Sequence, residues 1–215
     1  MRDEVINGII AGKLIAIVRG MEEELIVPIA QAIRAGGINF LEVTFNQSKP
    51  DSFAATARAV GAIRKAFGNE GYAGAGTVIT LGQLEMAAEA GAQYIIAPDA
   101  NPEIIKRTRE LGLVSIPGAM TPTECAAAHF AGADFVKLFP LGNLGAGYLK
   151  AIRAPLSHIR FLGVGGINEK NIPEFLAAGA AGFGVGGNLV NKEWIEAGRF
   201  DLITELAAKY VAAVG

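Results

Sequence analysis

The sequence predicts a single (β/α)8 barrel, the TIM barrel, over residues 1–215, with one extra helix ahead of its first strand. Three observations predict it. Short runs rich in Ile, Val and Phe recur along the whole chain, each brief enough to be a strand. Each run is followed by a longer, Ala-rich amphipathic stretch, so the repeat has the size of a βα unit. Helix ends repeatedly carry an Ala-Gly pair. The length of 215 residues also suits a minimal barrel of this kind, whose lower bound is about 200. With 51% hydrophobic and 19% charged residues, the chain can build a large core and does not have a disordered composition.

The elements follow in order. A helix at about Arg2–Gly12 precedes the first strand and is placed to plug the N-terminal end of the barrel. The strand runs are Leu14–Arg19, Phe40–Phe45, Tyr72–Thr77, Gln93–Pro98, Leu113–Pro117, Asp134–Pro140, Ile159–Val164 and Gly182–Gly186. Strands that alternate with helices pair in parallel through right-handed crossovers. Eight such units close into a barrel without edges and exceed the usual count of an open flavodoxin-like sheet. Helix stops are expected at Ala35-Gly36, Ala90-Gly91, Ala131-Gly132 and Ala178-Gly179, where glycine supplies a left-handed residue that turns the chain into the next strand. Helix starts are marked by Thr121-Pro122-Thr123-Glu124, a capping box with proline at the first helical position, and by Asn101-Pro102-Glu103. Pro173 leaves the start of the seventh helix open between Asn168 and a later residue.

Charge and cysteine content exclude several classes of function. The net charge of −2 has no basic cluster to meet nucleic acid. Cys125 is the only cysteine, which rules out an intrachain disulfide and disfavours a thiolate metal cluster; mid-helix among alanines, it reads as an inert buried thiol. His129 and His158 read as too isolated to form a metal pair. The opening MRDEVINGII lacks the apolar region of a signal peptide, and no apolar run is long enough to span a bilayer. A cytoplasmic protein is expected, with no membrane or nucleic-acid partner.

Parallel strands covered on both faces should be apolar throughout, so polar residues inside them need explaining. Alternation along Phe40–Phe45 puts Leu41, Val43 and Phe45 on one face and Phe40, Glu42 and Thr44 on the other. In Asp134–Phe139, Phe135, Lys137 and Phe139 share a face. If the helix-facing side of each strand is the wholly apolar one, Glu42 and Lys137 both point into the barrel. Each lies near the C-terminal end of its strand, where this fold keeps its catalytic groups. Their strands are half a barrel apart, so the two side chains would face one another across its mouth. Burial among Phe and Val lowers the pKa of a lysine, and a nearby carboxylate opposes the shift. A neutral, fixed lysine amine is a carbonyl nucleophile. It can condense with a 2-oxo acid to an iminium ion that accepts electrons when a neighbouring carbon–carbon bond breaks. Glu42 is the available general acid/base. The competing reading is a structural Lys137–Glu42 pair.

Other positions fill the rim. Arg19 ends the first strand and either binds a substrate carboxylate or caps the barrel. Thr77 follows the small residues Gly74-Ala75-Gly76, which leave room at the mouth for its hydroxyl to meet a ligand. Gly165-Gly166 and Gly186-Gly187 end the last two strands, where this fold often builds a phosphate site from backbone N–H groups and a helix N-terminus. The Glu22-Glu23-Glu24 run suits the start of a helix and needs no functional account.

Several segments together resemble the KDPG/KHG aldolase family (2-keto-3-deoxy-6-phosphogluconate / 4-hydroxy-2-oxoglutarate aldolases). They are Ile17-Val18-Arg19-Gly20, Leu41-Glu42-Val43-Thr44, Gly74-Ala75-Gly76-Thr77-Val78, Val136-Lys137-Leu138-Phe139-Pro140 and Gly165-Gly166-Ile167. The similarity runs in order from about Ile15 to Trp194. It implies a class I, metal-independent aldolase that needs no cofactor, works on a phosphorylated small-molecule 2-oxo acid and assembles as a homotrimer. By the same resemblance, Lys137 would form the Schiff base and Glu42 would shuttle the proton. Arg19 and Thr77 would hold the pyruvyl carboxylate, and Pro98 and Phe139 would wall the pocket. Gly165, Gly166, Gly186 and Gly187 would receive the phosphate, with Asn188 beside them.

Two positions depart from the pattern. Asn46 stands where gluconate-specialised members often carry Arg, as in the galactonate-type relatives. Gly187 stands where Ser is common. Both leave the pyruvate half intact and leave open the second half of the substrate: that of 2-keto-3-deoxy-6-phosphogluconate or of its C4 epimer 2-keto-3-deoxy-6-phosphogalactonate, each of which releases glyceraldehyde 3-phosphate, or that of 4-hydroxy-2-oxoglutarate, which releases glyoxylate. Two rivals from other classes remain. A phosphate-binding isomerase or synthase barrel shares the glycine pairs but gives no reason for Lys137. A non-catalytic sugar-phosphate sensor needs neither Lys137 nor Glu42.

Overall fold

The computed structural model describes all residues, Met1–Gly215. Its strands are β1 (Leu14–Val18), β2 (Phe40–Thr44), β3 (Tyr72–Gly76), β4 (Tyr94–Ile96), β5 (Val114–Ile116), β6 (Gly118–Ala119), β7 (Val136–Leu138), β8 (Phe161–Val164) and β9 (Gly182–Val185). All pair in parallel, in the order β5-β4-β3-β2-β1-β9-β8-β7-β6. The two ends of that order, β5 and β6, are consecutive in the chain. The expected fifth strand Leu113–Pro117 appears as β5, and beyond Pro117, which has no N–H to donate to the ladder, the chain adds the short strand β6. β5 pairs with β4 and β6 with β7, so the sheet closes on itself.

The strands divide the interior as alternation requires. Leu41, Val43 and Phe45 join the large outer core between sheet and helices. Phe40, Tyr94, Ile96, Val114, Ile116, Phe135 and Leu162 fill the barrel itself. The helix Arg2–Gly12 closes the N-terminal end, with Val5 and Ile9 fully buried in that inner cluster. Arg2 pairs with Asp134, whose second carboxylate oxygen accepts from the Ser115 N–H at 2.9 Å, so the plug is tied to the strands it covers. No helix is long and apolar enough to cross a membrane.

The helix signals act largely as read. Thr121 and Glu124 form a reciprocal capping box ahead of helix Pro122–Ala131, an arrangement worth about 1 kcal/mol. Asn101 caps Pro102–Glu110 through the Glu103 N–H. The open start near Pro173 resolves to helix Ile172–Ala177 with Asn171 at its N-cap position. Gly91, Gly132 and Gly179 are left-handed. At Ala35-Gly36 the expectation fails, because Gly36 has φ −81° and the left-handed residue is Gly37 at φ 96°. Gly36 is small for another reason: a Cβ there would lie 2.4 Å from the Ala207 Cβ and 2.5 Å from the Thr204 carbonyl oxygen, on the C-terminal helix Phe200–Val214.

Candidate active site

A cavity of about 520 Å³ opens at the C-terminal end of the barrel. It is lined by Glu42 and Lys137, with Arg19, Thr77, Pro98 and Phe139 around them and Gly165, Gly166, Gly186 and Gly187 at its far side. The strand alternation therefore brings β2 and β7 side chains into one space. Glu42 is 1% exposed and Lys137 8%. The Lys137 Nζ lies 5.0 Å from the centre of the Phe139 ring.

The electrostatics of the two groups are linked. Burial pushes the Glu42 carboxyl up to about 7, opposed by the positive charges of Lys137 and Arg19. Burial likewise holds the Lys137 ammonium below its usual value; the Glu42 charge opposes that shift and Arg19 reinforces it. The two shifts bring the carboxyl and the amine closer together in acidity than two free side chains would be. Glu42 Oε2 is buried and has no hydrogen-bond partner within the protein. A carboxyl without a partner in the protein, beside an amine whose neutral form burial favours, suits proton transfer and carbonyl addition.

The inner face of β3 makes room for this pair. The register places Glu42, Gly74 and Tyr94 in one row across three strands, and Thr44 beside Gly76. A Cβ on Gly76 would lie 2.4 Å from Glu42 Oε2, and one on Gly74 would lie 2.2 Å from the Tyr94 ring. The carboxylate thus rests over Gly76 and the tyrosine over Gly74. Gly76→Ala is expected to lower kcat by about 100-fold by displacing Glu42, and to cost about 1–3 kcal/mol from overpacking. Steady-state kinetics and chemical unfolding of the variant check both.

Thr77 is left-handed at φ 56°, a conformation that costs a β-branched residue roughly 1–3 kcal/mol and concentrates at functional positions. Its hydroxyl is 3.5 Å from Arg19 Nη2, a long contact at the rim. The two glycine pairs differ from each other. Gly165 and Gly166 have φ 83° and 74°, which only glycine adopts freely. Gly186 is small because a Cβ would lie 2.9 Å from Ile17, whereas Gly187 faces open space. The segment after Gly187 makes a single turn, with the Val190 N–H donating to the Gly186 carbonyl at 2.9 Å, where a helix N-terminus was expected.

Two expected residues lie outside the cavity. Asn46 lines an adjoining space with Thr44 and Lys49, and its Oδ1 accepts from the Ser48 N–H and hydroxyl. Asn188 turns away, its Oδ1 accepting from the Tyr210 hydroxyl at 2.8 Å. Tyr94, which gave no signal in sequence because tyrosine is an ordinary strand former, is fully buried near Glu42 with an unpartnered hydroxyl. His129 and His158 are not isolated: their rings meet edge to face with centres 4.8 Å apart, joined through the fold and not through the chain. No group of three or more His, Cys, Asp or Glu side chains is placed to hold a metal ion.

Comparison with known proteins adds the following. The family model described as "KDPG and KHG aldolase" matches residues 5–206. A probable 2-dehydro-3-deoxy-6-phosphogalactonate aldolase of Rhizobium meliloti is 37% identical over 82% of this chain and 81% of its own. The KHG/KDPG aldolase of Escherichia coli is 35% identical over 93% of this chain and 91% of its own. A solved structure of KDPG aldolase from Legionella pneumophila, with pyruvate captured as a covalent carbinolamine intermediate, superposes with a TM-score of 0.81 at 31% identity, covering 94% of this chain and 96% of that one.

Proposed function

The chain belongs to the KDPG and KHG aldolase family, and from that premise we propose that it cleaves a 4-hydroxy-2-oxo acid, phosphorylated or not, to pyruvate and an aldehyde through a Schiff base on Lys137. The observation that carries this reading is the placement of Lys137 and Glu42 in one cavity, both nearly inaccessible to solvent. As a class I aldolase it uses the iminium formed on its own lysine as the electron sink.

The reaction runs in steps that these residues can perform. The neutral Lys137 amine adds to C2 of the substrate, and the carbinolamine loses water to give an iminium ion. Glu42, as carboxylate, takes the proton of the C4 hydroxyl. The C3–C4 bond then breaks, its electron pair moves into the iminium to form an enamine, and the aldehyde departs. Glu42 returns its proton to C3 of the enamine, and water hydrolyses the resulting pyruvyl iminium, freeing pyruvate and Lys137. Arg19 and the Thr77 hydroxyl bind the pyruvyl carboxylate at the rim, and Pro98 and Phe139 wall the reacting carbons. The N–H groups of Gly165, Gly166, Gly186 and Gly187 receive the phosphate, with Asn188 fixing their loop through Tyr210.

The main reading takes 2-keto-3-deoxy-6-phosphogluconate, 4-hydroxy-2-oxoglutarate or both as substrate. Asn46 in place of Arg favours a second reading, 2-keto-3-deoxy-6-phosphogalactonate, as does the likeness to the Rhizobium meliloti protein. Its amide, at the edge of the adjoining space, would meet the aldehyde half. The family implies a homotrimer, and Phe130, 83% exposed, is an apolar side chain that a subunit interface would cover. Residues 1–215 act as one catalytic domain. We place it in the cytoplasm, where phosphorylated sugar acids are kept.

Incubation with pyruvate and borohydride should add one reduced pyruvyl group to Lys137, read by peptide mass spectrometry. Absence of that adduct overturns the Schiff-base assignment. Comparing kcat/KM for the three acids, each with and without phosphate where it applies, then ranks the substrates and gives the preferred C4 configuration.

A further inference from the structure

Thr77 holds a costly backbone conformation, and a chain of hydrogen bonds closes over it. The Ile79 N–H donates to Gln83 Oε1 at 2.9 Å. Gln83 Nε2 donates to Gln47 Oε1 at 2.9 Å, and Gln47 Nε2 donates to the Thr77 carbonyl at 2.8 Å. The path begins and ends on one short turn, at residues 79 and 77. Its polarity is fixed at both ends by the backbone: only an oxygen can meet the Ile79 N–H, and only an N–H can meet the Thr77 carbonyl. Each glutamine amide therefore has a single workable orientation.

The two glutamines differ in setting. Gln83 is 2% exposed and sits in the first turn of helix Leu81–Glu89, where its own N–H donates to the N-cap residue Thr80 at 3.2 Å. Gln47 is exposed and lies on the loop that follows β2, next to Asn46 and three residues beyond the strand that carries Glu42. The clamp thus joins the loop after β2 to the loop after β3. The buried Gln83 amide, held by the Ile79 N–H, is a rigid support for the exposed Gln47 amide that meets the Thr77 carbonyl.

We propose that Gln83 and Gln47 are positioning residues, which hold Thr77 so that its hydroxyl stays beside Arg19 at the place of the substrate carboxylate. This rests on the carboxylate-binding role given to Thr77 above. Neither glutamine touches the reacting atoms. Their effect is on affinity for the pyruvyl group, and it is transmitted by one backbone carbonyl.

The test uses full-length Gln47→Ala, Gln83→Met, the double variant, and Gln47→Ala in a Thr77→Gly background. The readouts are KM, kcat and the pyruvate concentration that gives half-maximal borohydride labelling. Each single variant should raise KM and the half-labelling concentration by about tenfold, the loss expected of one hydrogen-bonded support, with kcat and maximal labelling unchanged. The double variant should be no worse than the weaker single variant, since either change breaks the same path. In the Thr77→Gly background, Gln47→Ala should have no further effect. Wild-type affinity in Gln47→Ala, multiplied losses in the double variant, or a tenfold loss that persists without Thr77 would each overturn the proposal. Because Gln47 is exposed, its variant reads the clamp even where Gln83→Met folds poorly. Failure of the wild-type protein to label at Lys137 would instead be a failure of the Schiff base.

Discussion

Lys137→Met is expected to lower aldolase turnover by at least about 10,000-fold, because it removes the nucleophile and leaves only binding and proton transfer. Methionine keeps the length and the apolar stem, so the contact with Phe139 survives while the amine is lost. The barrel should tolerate the change. With one positive charge gone, Glu42 is driven further toward its neutral form, which burial already favours. Lys137→Arg should be equally inactive for a different reason, since a guanidinium keeps the charge but cannot be deprotonated to attack a carbonyl. A structural ion pair predicts the opposite pattern: Arg would preserve function, and Met would unfold the protein without a specific chemical defect. Single-turnover assays with borohydride labelling of both variants, alongside thermal unfolding, separate the two. Retained turnover in Lys137→Arg would remove the Schiff base from the mechanism.

Glu42→Gln is expected to retain imine formation with pyruvate but to slow exchange of the pyruvate methyl protons by about 100- to 10,000-fold, the range of general acid–base catalysis. In the wild type the exchange should rise with pH through about 7, where the Glu42 carboxyl becomes the required base, and that limb should vanish in the variant. The charged groups that bear on this titration are Lys137 and Arg19, which lower it, and Tyr94 is the buried neutral neighbour. Stability follows the same shift. The folded value, about 7, lies above the ordinary 4.5, so the contribution of Glu42 to stability is full below about pH 4.5 and is lost as pH rises through about 7. Wild type should therefore lose thermal stability relative to Glu42→Gln across that window. Deuterium exchange followed by NMR, together with melting curves at pH 5 and pH 8, checks both parts. Unchanged exchange in the variant would dismiss Glu42 as the proton carrier.

How much of this could be read from sequence depends on contrast. Glu42 and Lys137 stood out because each interrupts an apolar strand, and a period of two assigns such residues to a face without further information. The glycine pairs were legible by position at strand ends. Tyr94 was not, because a tyrosine in a strand offers no contrast with its neighbours, and its meaning depends on Gly74 lying beneath its ring. Gln47 and Gln83 read as ordinary loop and helix residues; their roles arise only when two loops meet. The strand Gly118–Ala119 was hidden because two small residues after a proline form no apolar run. Gly36 was misread because a helix stop and a close helix–helix contact ask for the same residue. The edge-to-face pair of His129 and His158 shows the general limit, that proximity across the fold leaves no trace in local spacing.

The plug formed by helix Arg2–Gly12 also governs traffic. With Val5 and Ile9 packed under Phe40, Tyr94 and Phe135, the barrel is filled below the cavity, and reactants and products share one mouth. Under the proposed Schiff base, the pyruvyl group stays bonded to Lys137 after the carbon–carbon bond breaks. In cleavage the aldehyde would then leave first and pyruvate last; in synthesis pyruvate would load before the aldehyde. A barrel sealed at one end makes both products use the same door.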